Sequence, residues 1–161
     1  QIKMLCDKGA YPKADGAKLY TSGMLRTEQT FEHIYGDIDH EIISDLREVG
    51  DGIFEMKTMD EVLQHDEARA WLEGEKEYMD FPEGETNDGF IERVSRGLEV
   101  LKSDVTHSDV IGVFHGAVIF TCMEMMFPSV KEKAWHWTPN PASGYAVTFE
   151  DGKPARYSEI G

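Results

Sequence analysis

The stretch at residues 109–114 is an apolar run without polar alternation, and it stops at His115. A strand with this pattern is typical of the buried centre of a parallel sheet. A very apolar helix is predicted directly afterwards, over residues 117–127, and Pro128 closes it. Parallel strands need crossover connections, and helices usually supply them. The run therefore predicts an α/β fold around a parallel sheet.

The other segments of the chain agree with this class. Strands are predicted at residues 17–21 and 142–150, and Asp151-Gly152 is a turn signal that leads to a further edge strand. Helices are predicted over residues 24–35, after Thr58, over residues 67–79, and from Thr86 or Asn87 onwards. We therefore expect a three-layer sandwich over residues 1–161, with a mainly parallel central sheet and helices on both faces.

The first residues resemble the end of a helix, with Gly9 suited to the position after its C-cap. The chain opens with Gln1 rather than Met. We therefore expect a single domain that is N-terminally incomplete.

Composition limits the function classes. The chain has 31 acidic and 16 basic residues and a formal net charge of −15. This charge argues against a nucleic-acid partner, which needs a basic face. No apolar run approaches the roughly 18 residues of a membrane span, so no membrane partner is expected. With two cysteines, Cys6 and Cys122, a reducing cytoplasmic location is the simplest expectation.

No cofactor or metal is indicated. His33 and His40 have no metal-ligand spacing with a partner, and the cysteines form no C-x-x-C pair. The three tryptophans are interpreted as packing residues rather than a base-stacking platform, because their surroundings are not basic. They are Trp71, Trp135 and Trp137.

His115 is the first site candidate. It stands at the carboxyl end of the predicted central strand, where ligands bind in open α/β sheets. Gly116 and Ala117 follow it and begin a helix, and a helix N-terminus attracts anions. A phosphate group bound here could contact His115 and the first backbone N–H groups of the helix, at the carboxyl end of the strand. A half-buried histidine with a satisfied hydrogen bond remains the alternative.

Arg26 and Glu48 are the other candidates. Arg26 lies in the first turn of a predicted helix, where the helix dipole disfavours a cation unless an anion is bound nearby. An exposed arginine that pairs with an acid such as Glu28 is the alternative. Glu48 lies in a glycine-containing loop, from which a carboxyl group could protonate a leaving group. Taken alone, one acid among 31 carries no evidence of function.

Five segments, taken in order, resemble the histidine phosphatase, or phosphoglycerate mutase-like, superfamily. They are similar to its Ser-x-x-x-Arg-x-x-x-Thr segment, its Leu-x-Glu-x-x-x-Gly loop, its Gly-Glu-Ser/Thr helix start with a downstream arginine, its second-histidine motif and its closing segment. They lie at residues 20–30, 46–52, 81–86 with Arg93, 113–117 and 140–143.

The resemblance implies a phosphoryl-transfer mechanism without a cofactor. In this family one histidine is phosphorylated, a second histidine and two arginines hold the phosphoryl oxygens, and a glutamate acts as general acid and base. Carried to this chain, it makes Glu48, His115 and Arg26 catalytic, and Arg26, His115, Gly116 and Ala117 phosphate-binding. The Arg-His-Gly segment of the nucleophile has no match, because the one His-Gly pair, at 115–116, follows Phe114.

The resemblance leaves three functions open. A phosphatase acting on a small-molecule phosphomonoester is favoured, because the glycolytic mutases have a long insertion that is missing between Arg26 and His115. A mutase-type phosphotransferase is the nearest alternative, and a non-catalytic binder of phospho-ligands is the third. Specificity is expected from a lid at residues 51–79. The substrate and a homodimeric state both stay open.

Overall fold

The computed structural model describes residues 1–73, 81–130 and 136–161. Two compact units are present, one formed by Gln1–Glu48 with Arg93–Gly161 and the other by Val49–Glu92. The expectations for Trp135, for the Trp71 side chain and for a helix beyond residue 73 lie outside the described part. No described helix is both long enough and apolar enough to cross a membrane.

The α/β class is confirmed by a three-stranded parallel sheet. β1 (Lys18–Thr21) lies between β2 (Glu41–Ile42) and β3 (Val110–Val113). Thr21 is opposite both Ile42 and Val113 in the register. The three strands therefore end at one edge of the sheet, and the residues that follow them come close together there.

The order of the strands differs from the expectation for residues 109–114. β1, rather than β3, is central among the three strands, and the side chains of β3 are half-buried, with Gly112 exposed. An apolar run indicates that a strand is buried, but it does not indicate which elements bury it or where the strand lies in the sheet. Within the described residues, β3 pairs with β1 alone.

Six α-helices are described, and most begin and end where the sequence signals predict. Gly36 ends α2 with a φ of 80°, and Gly9 follows α1 with a φ of 66°. The expected capping box is present at Thr58 and Glu61. The helices are α1 (Ile2–Asp7), α2 (Leu25–Tyr35), α3 (Met59–Val62), α4 (Asp66–Leu72), α5 (Asn87–Val105) and α6 (Gly116–Met126).

The expected C-terminal strands form an antiparallel hairpin, which is a separate two-stranded sheet. β4 (Gly144–Glu150) turns into β5 (Lys153–Ile160) through Asp151 and Gly152, which both have positive φ angles. Such φ angles are those of the tight turns that match the strand twist. Trp137 is buried and packs edge-on against Tyr145 and Tyr157, so its interpretation as a packing residue is confirmed.

Leu46 anchors the segment that carries Glu48. It ends a short 3-10 helix (Ser44–Leu46) and is fully buried. It packs over Gly97 of α5, where an added Cβ would lie 2.6 Å from the Leu46 side chain. The glycine therefore provides the space into which the leucine fits, two residues before Glu48.

We predict that Leu46→Ala lowers the free energy of unfolding by about 2–5 kcal/mol, because it leaves a cavity against α5. Leu25→Ala is the matched control. Leu25 is 73% exposed, so its loss is expected to change the free energy of unfolding by less than about 0.5 kcal/mol. Chemical denaturation of both variants checks this, and equal losses would contradict the anchoring role of Leu46.

Candidate active site

The three predicted catalytic residues lie together. Nε of Arg26 donates a hydrogen bond to Nδ1 of His115 over 2.9 Å. Oε2 of Glu48 lies 3.9 Å from the same Nδ1 and 4.0 Å from Nη2 of Arg26. Residues that are far apart in the sequence thus form one cluster, as the sequence predicts.

His115 connects the sheet to a helix N-terminus. It follows the residue after β3 and is the N-cap of α6, with extended φ and ψ angles of −113° and 159°. Its side chain is only 2% exposed. Gly116 and Ala117 are the first residues of α6, and N–H groups at this position have no acceptor within the helix. Such groups favour a bound anion.

Two hydroxyl groups lie behind the His115 ring. Nε2 of His115 is 2.8 Å from Oγ of Ser22, which lies 2.9 Å from Oγ1 of Thr27. The Thr27 hydroxyl donates to the carbonyl of Met24 over 2.8 Å. Ser22 and Thr27 are only 1% and 2% exposed, so solvent does not compete for these hydrogen bonds.

Ser22 and Thr27 are not among the predicted site residues, although Ser22 begins the Ser-x-x-x-Arg segment of the resemblance. Ser22 directly follows β1, and the register of β1 against β3 indicates its place near His115. Thr27 lies in the first turn of α2, where its hydroxyl can return toward the start of the helix. The contact between Ser22 and His115 could therefore have been predicted from the pairing of parallel strands. That prediction would have required knowing that β1 and β3 are neighbours.

Glu28 does not pair with Arg26, which was the alternative for that arginine. The hydroxyl of Thr21 donates to Oε1 of Glu28, and Oε2 of Glu28 lies 2.8 Å from Nε2 of His40. The Thr21 hydrogen bond, followed by the contact with His40, lowers the pKa of Glu28. Arg26 therefore faces the cluster, although more than half of its side chain remains exposed.

Arg93 of α5 fixes the loop that carries Glu48. Its guanidinium donates to the backbone carbonyls of Asp45, Arg47 and Glu48 over 2.9, 2.6 and 2.9 Å. The resemblance of residues 81–86 and Arg93 to the family's helix start does not predict these contacts. A single side chain that holds three carbonyls restricts where the Glu48 carboxyl group can lie.

The electrostatic environment keeps His115 neutral. Burial, followed by the positive charges of Arg26, Arg47 and Arg93, lowers the pKa of His115 from 6.5 to about 4. Three guanidinium groups therefore create a positive potential at a ring that carries no charge near neutral pH. Such a potential favours an anionic ligand over a cationic one.

Within the described residues, no group of three or more His, Cys, Asp or Glu side chains is arranged to hold a metal ion. The His33 ring instead contacts the carbonyl of Gln29 one helical turn earlier, at 2.7 Å. Cys6 and Cys122 are both free thiols.

Comparison with known protein families agrees with this geometry. The model of the histidine phosphatase superfamily (branch 1) matches residues 8–158. The chain belongs to this superfamily. The expected resemblance is thereby confirmed over almost the whole chain. A search of the curated proteins finds no match.

Several solved structures share the fold. An alpha-ribazole phosphatase from Shigella flexneri is 19% identical, with a TM-score of 0.74, over 95% of this chain and 78% of that one. Bacillus stearothermophilus YhfR is 24% identical, with a TM-score of 0.75, over 96% and 78%. A phosphoglycerate mutase from Bacillus anthracis is 19% identical, with a TM-score of 0.64, over 83% and 69%. The histidine phosphatase fold thus accommodates this sequence.

We predict that His115 makes the stability of the protein pH-dependent. Above pH 6.5 the ring is mostly neutral in both the folded and the unfolded protein. As the pH falls from 6.5 to about 4, the unfolded chain binds a proton that the folded chain does not, so the free energy of unfolding decreases. The decrease is at most about 3 kcal/mol. Denaturation of wild type and His115→Gln across this range measures it, and identical pH slopes for the two proteins would contradict it.

Proposed function

We propose that the protein hydrolyses small-molecule phosphomonoesters through a phosphohistidine intermediate. The observation that carries the proposal is the cluster of Arg26, His115 and Glu48 at the N-terminus of α6. A guanidinium, an imidazole and helix N–H groups are suited to phosphoryl oxygens. Membership of the histidine phosphatase superfamily supports the same chemistry.

Each residue takes one role in this scheme. Arg26 and His115, with the N–H groups of Gly116 and Ala117, stabilise charge on the phosphoryl group as its bond to the ester oxygen breaks and a bond to a histidine nitrogen forms. Glu48 gives its proton to the departing oxygen. It then takes a proton from the water that attacks the phosphohistidine, and the protein returns to its starting state.

The nucleophilic histidine is proposed to come from a segment outside this sequence. His115 cannot be both the nucleophile and the ligand of the same phosphoryl group. Within the described residues β3 pairs with β1 on one edge, and the hairpin of β4 and β5 is a separate sheet. A parallel strand on the other edge of β3 would end about 5 Å from it, beside His115.

Two alternatives use the same cluster. A mutase would return the phosphoryl group to its substrate instead of water, and one structural neighbour is a phosphoglycerate mutase. We favour the phosphatase because 88 residues separate Arg26 from His115 without the long insertion typical of the glycolytic mutases. The other alternative is a binder of phospho-ligands without catalysis.

We predict that Glu48→Gln distinguishes substrates by their leaving groups. The amide keeps the shape of the side chain but has no proton to donate. In the full-length protein, kcat/KM is therefore expected to fall strongly for alkyl phosphates and only slightly for p-nitrophenyl phosphate, whose leaving group needs little protonation. Glu99→Gln is the matched control, since Glu99 pairs with Lys102 on α5. Equal losses on both substrates would remove Glu48 as the general acid.

Arg26→Ala is expected to lower turnover of both substrates by about 10²–10³-fold, because it removes a donor that stabilises the transferring group. Arg156→Ala provides the control, since Arg156 pairs with Glu150 at the surface of the hairpin. Steady-state kinetics of the two variants checks the expectation. Phosphate binding in a wild-type protein that has no turnover would instead favour the non-catalytic binder.

A further inference from the structure

The hydrogen bonds around His115 fix which of its nitrogens carries the proton. Nε of an arginine always carries hydrogen and cannot accept a hydrogen bond. Because Nε of Arg26 points at Nδ1 of His115 over 2.9 Å, Nδ1 must be the unprotonated nitrogen. The neutral ring therefore has its proton on Nε2, which donates to Oγ of Ser22 over 2.8 Å.

The Ser22 hydroxyl cannot easily reverse this arrangement. The hydroxyl of Thr27 donates to the carbonyl of Met24, so Oγ1 of Thr27 accepts the Ser22 proton. The backbone N–H of Met24 also approaches Oγ of Ser22, at 3.3 Å. The hydrogen bonds are therefore donated in one direction: His115 donates to Ser22, Ser22 donates to Thr27, and Thr27 donates to a backbone carbonyl. Reversal would cost Oγ1 of Thr27 the hydrogen bond that it accepts, and it would turn a protonated Nδ1 toward the N–H of Arg26, which is unfavourable.

The orientation has a consequence for anion binding. Nδ1 is the nitrogen on the side of Arg26 and Glu48, and in the neutral ring it is an acceptor. A fully ionised oxyanion offers only acceptors, so it cannot hydrogen-bond to an unprotonated Nδ1. Moving the Nε2 proton to Nδ1 would cost the ring its hydrogen bonds to Ser22 and Arg26 in their present directions. The ring therefore needs a second proton, taken from solvent, to bind such an anion.

We propose that capture of an oxyanion at this site is coupled to the uptake of one proton by His115, and that Ser22 and Thr27 are the positioning residues that impose the coupling. The inference rests on the proposed role of His115 as a phosphoryl ligand. It goes further, because it gives the ring a different charge before and after binding.

The charges around His115 are consistent with a neutral ring in the free site and a protonated ring when an anion is bound. In the free site, burial and three guanidinium groups keep the ring neutral, and its pKa is about 4. A bound dianion offsets those charges and contacts Nδ1 directly, so it raises this pKa. The charged groups that face the ring are Arg26 on α2, Arg47 and Glu48 on the loop, and Arg93 on α5. The hydroxyl of Ser22, the residue after β1, also contacts the ring.

Sulfate is the appropriate probe, because it stays a dianion across the pH range and its own protonation does not interfere. Titration calorimetry of the full-length protein at pH 7, in buffers with different ionisation enthalpies, counts the protons exchanged. We expect the uptake of about one proton per sulfate. Between about pH 5 and 7, affinity is then expected to fall about tenfold per pH unit, as one linked proton requires.

Thr27→Val tests the hydroxyl chain. The valine removes the acceptor of the Ser22 proton, so Ser22 becomes able to donate to Nε2, and Nδ1 can carry the single proton of a neutral ring. Sulfate should then bind with much less proton uptake and with a shallower pH slope. Thr106→Val is the matched control, since Thr106 also donates to a carbonyl three residues earlier but lies away from His115. His40→Gln should likewise keep the full uptake.

The outcomes separate the two proposals. Sulfate binding to wild type without proton uptake would overturn the coupling but leave the phosphatase assignment intact. A failure of sulfate to bind at all would overturn both. Full uptake in a folded Thr27→Val protein would overturn the role of the hydroxyl chain. Nitrogen NMR of the wild-type His115 ring does not depend on any variant. Both ring nitrogens should be protonated with sulfate bound, whereas a neutral ring protonated at Nδ1 would overturn the coupling.

Discussion

The parallel pairing of β1 with β3 is the constraint on which the site depends. Because Thr21 lies opposite Val113, both strands end at the same height, and the chain leaves each of them toward a helix. Ser22 and His115 are thereby brought within hydrogen-bond distance although they are 93 positions apart in the sequence. A shift of two residues in this register would keep the faces of the strands but move Ser22 by more than 6 Å. The ring would then lose the partner that orients it.

The third member of the cluster is held by packing and by backbone hydrogen bonds. Glu48 follows a segment with little regular structure, yet the buried Leu46 fills the space over Gly97, and Arg93 binds the carbonyls around Glu48. Both contacts come from α5. The helix thus acts as a support for a loop that could not fix a carboxyl group through its own conformation. Loops positioned in this way commonly carry functional residues.

The parts of the site that could be predicted from the sequence are those with a local signal. His115 before a helix start and Arg26 in a first turn each create a local electrostatic pattern, and both were expected at the carboxyl edge of the sheet. The contact of Ser22 with His115 and those of Arg93 with the Glu48 loop join elements distant in sequence, which local patterns do not encode. Among the strands that the structure describes, β1 rather than β3 lies between two others, because hydrophobicity indicates that a strand is buried but does not determine strand order.

The site combines a locally positive environment with a strongly acidic chain. A net charge of −15 repels anions at long range, but such interactions are screened beyond about 8 Å at physiological ionic strength. Arg26 contacts His115 directly, and Arg47 and Arg93 also raise the potential at the ring. A ligand that reaches the cluster therefore experiences mainly the arginines. In the proposed scheme, the charges that attract an anion also keep His115 neutral until the anion binds, so that the imidazolium forms where the negative charge of the ligand stabilises it.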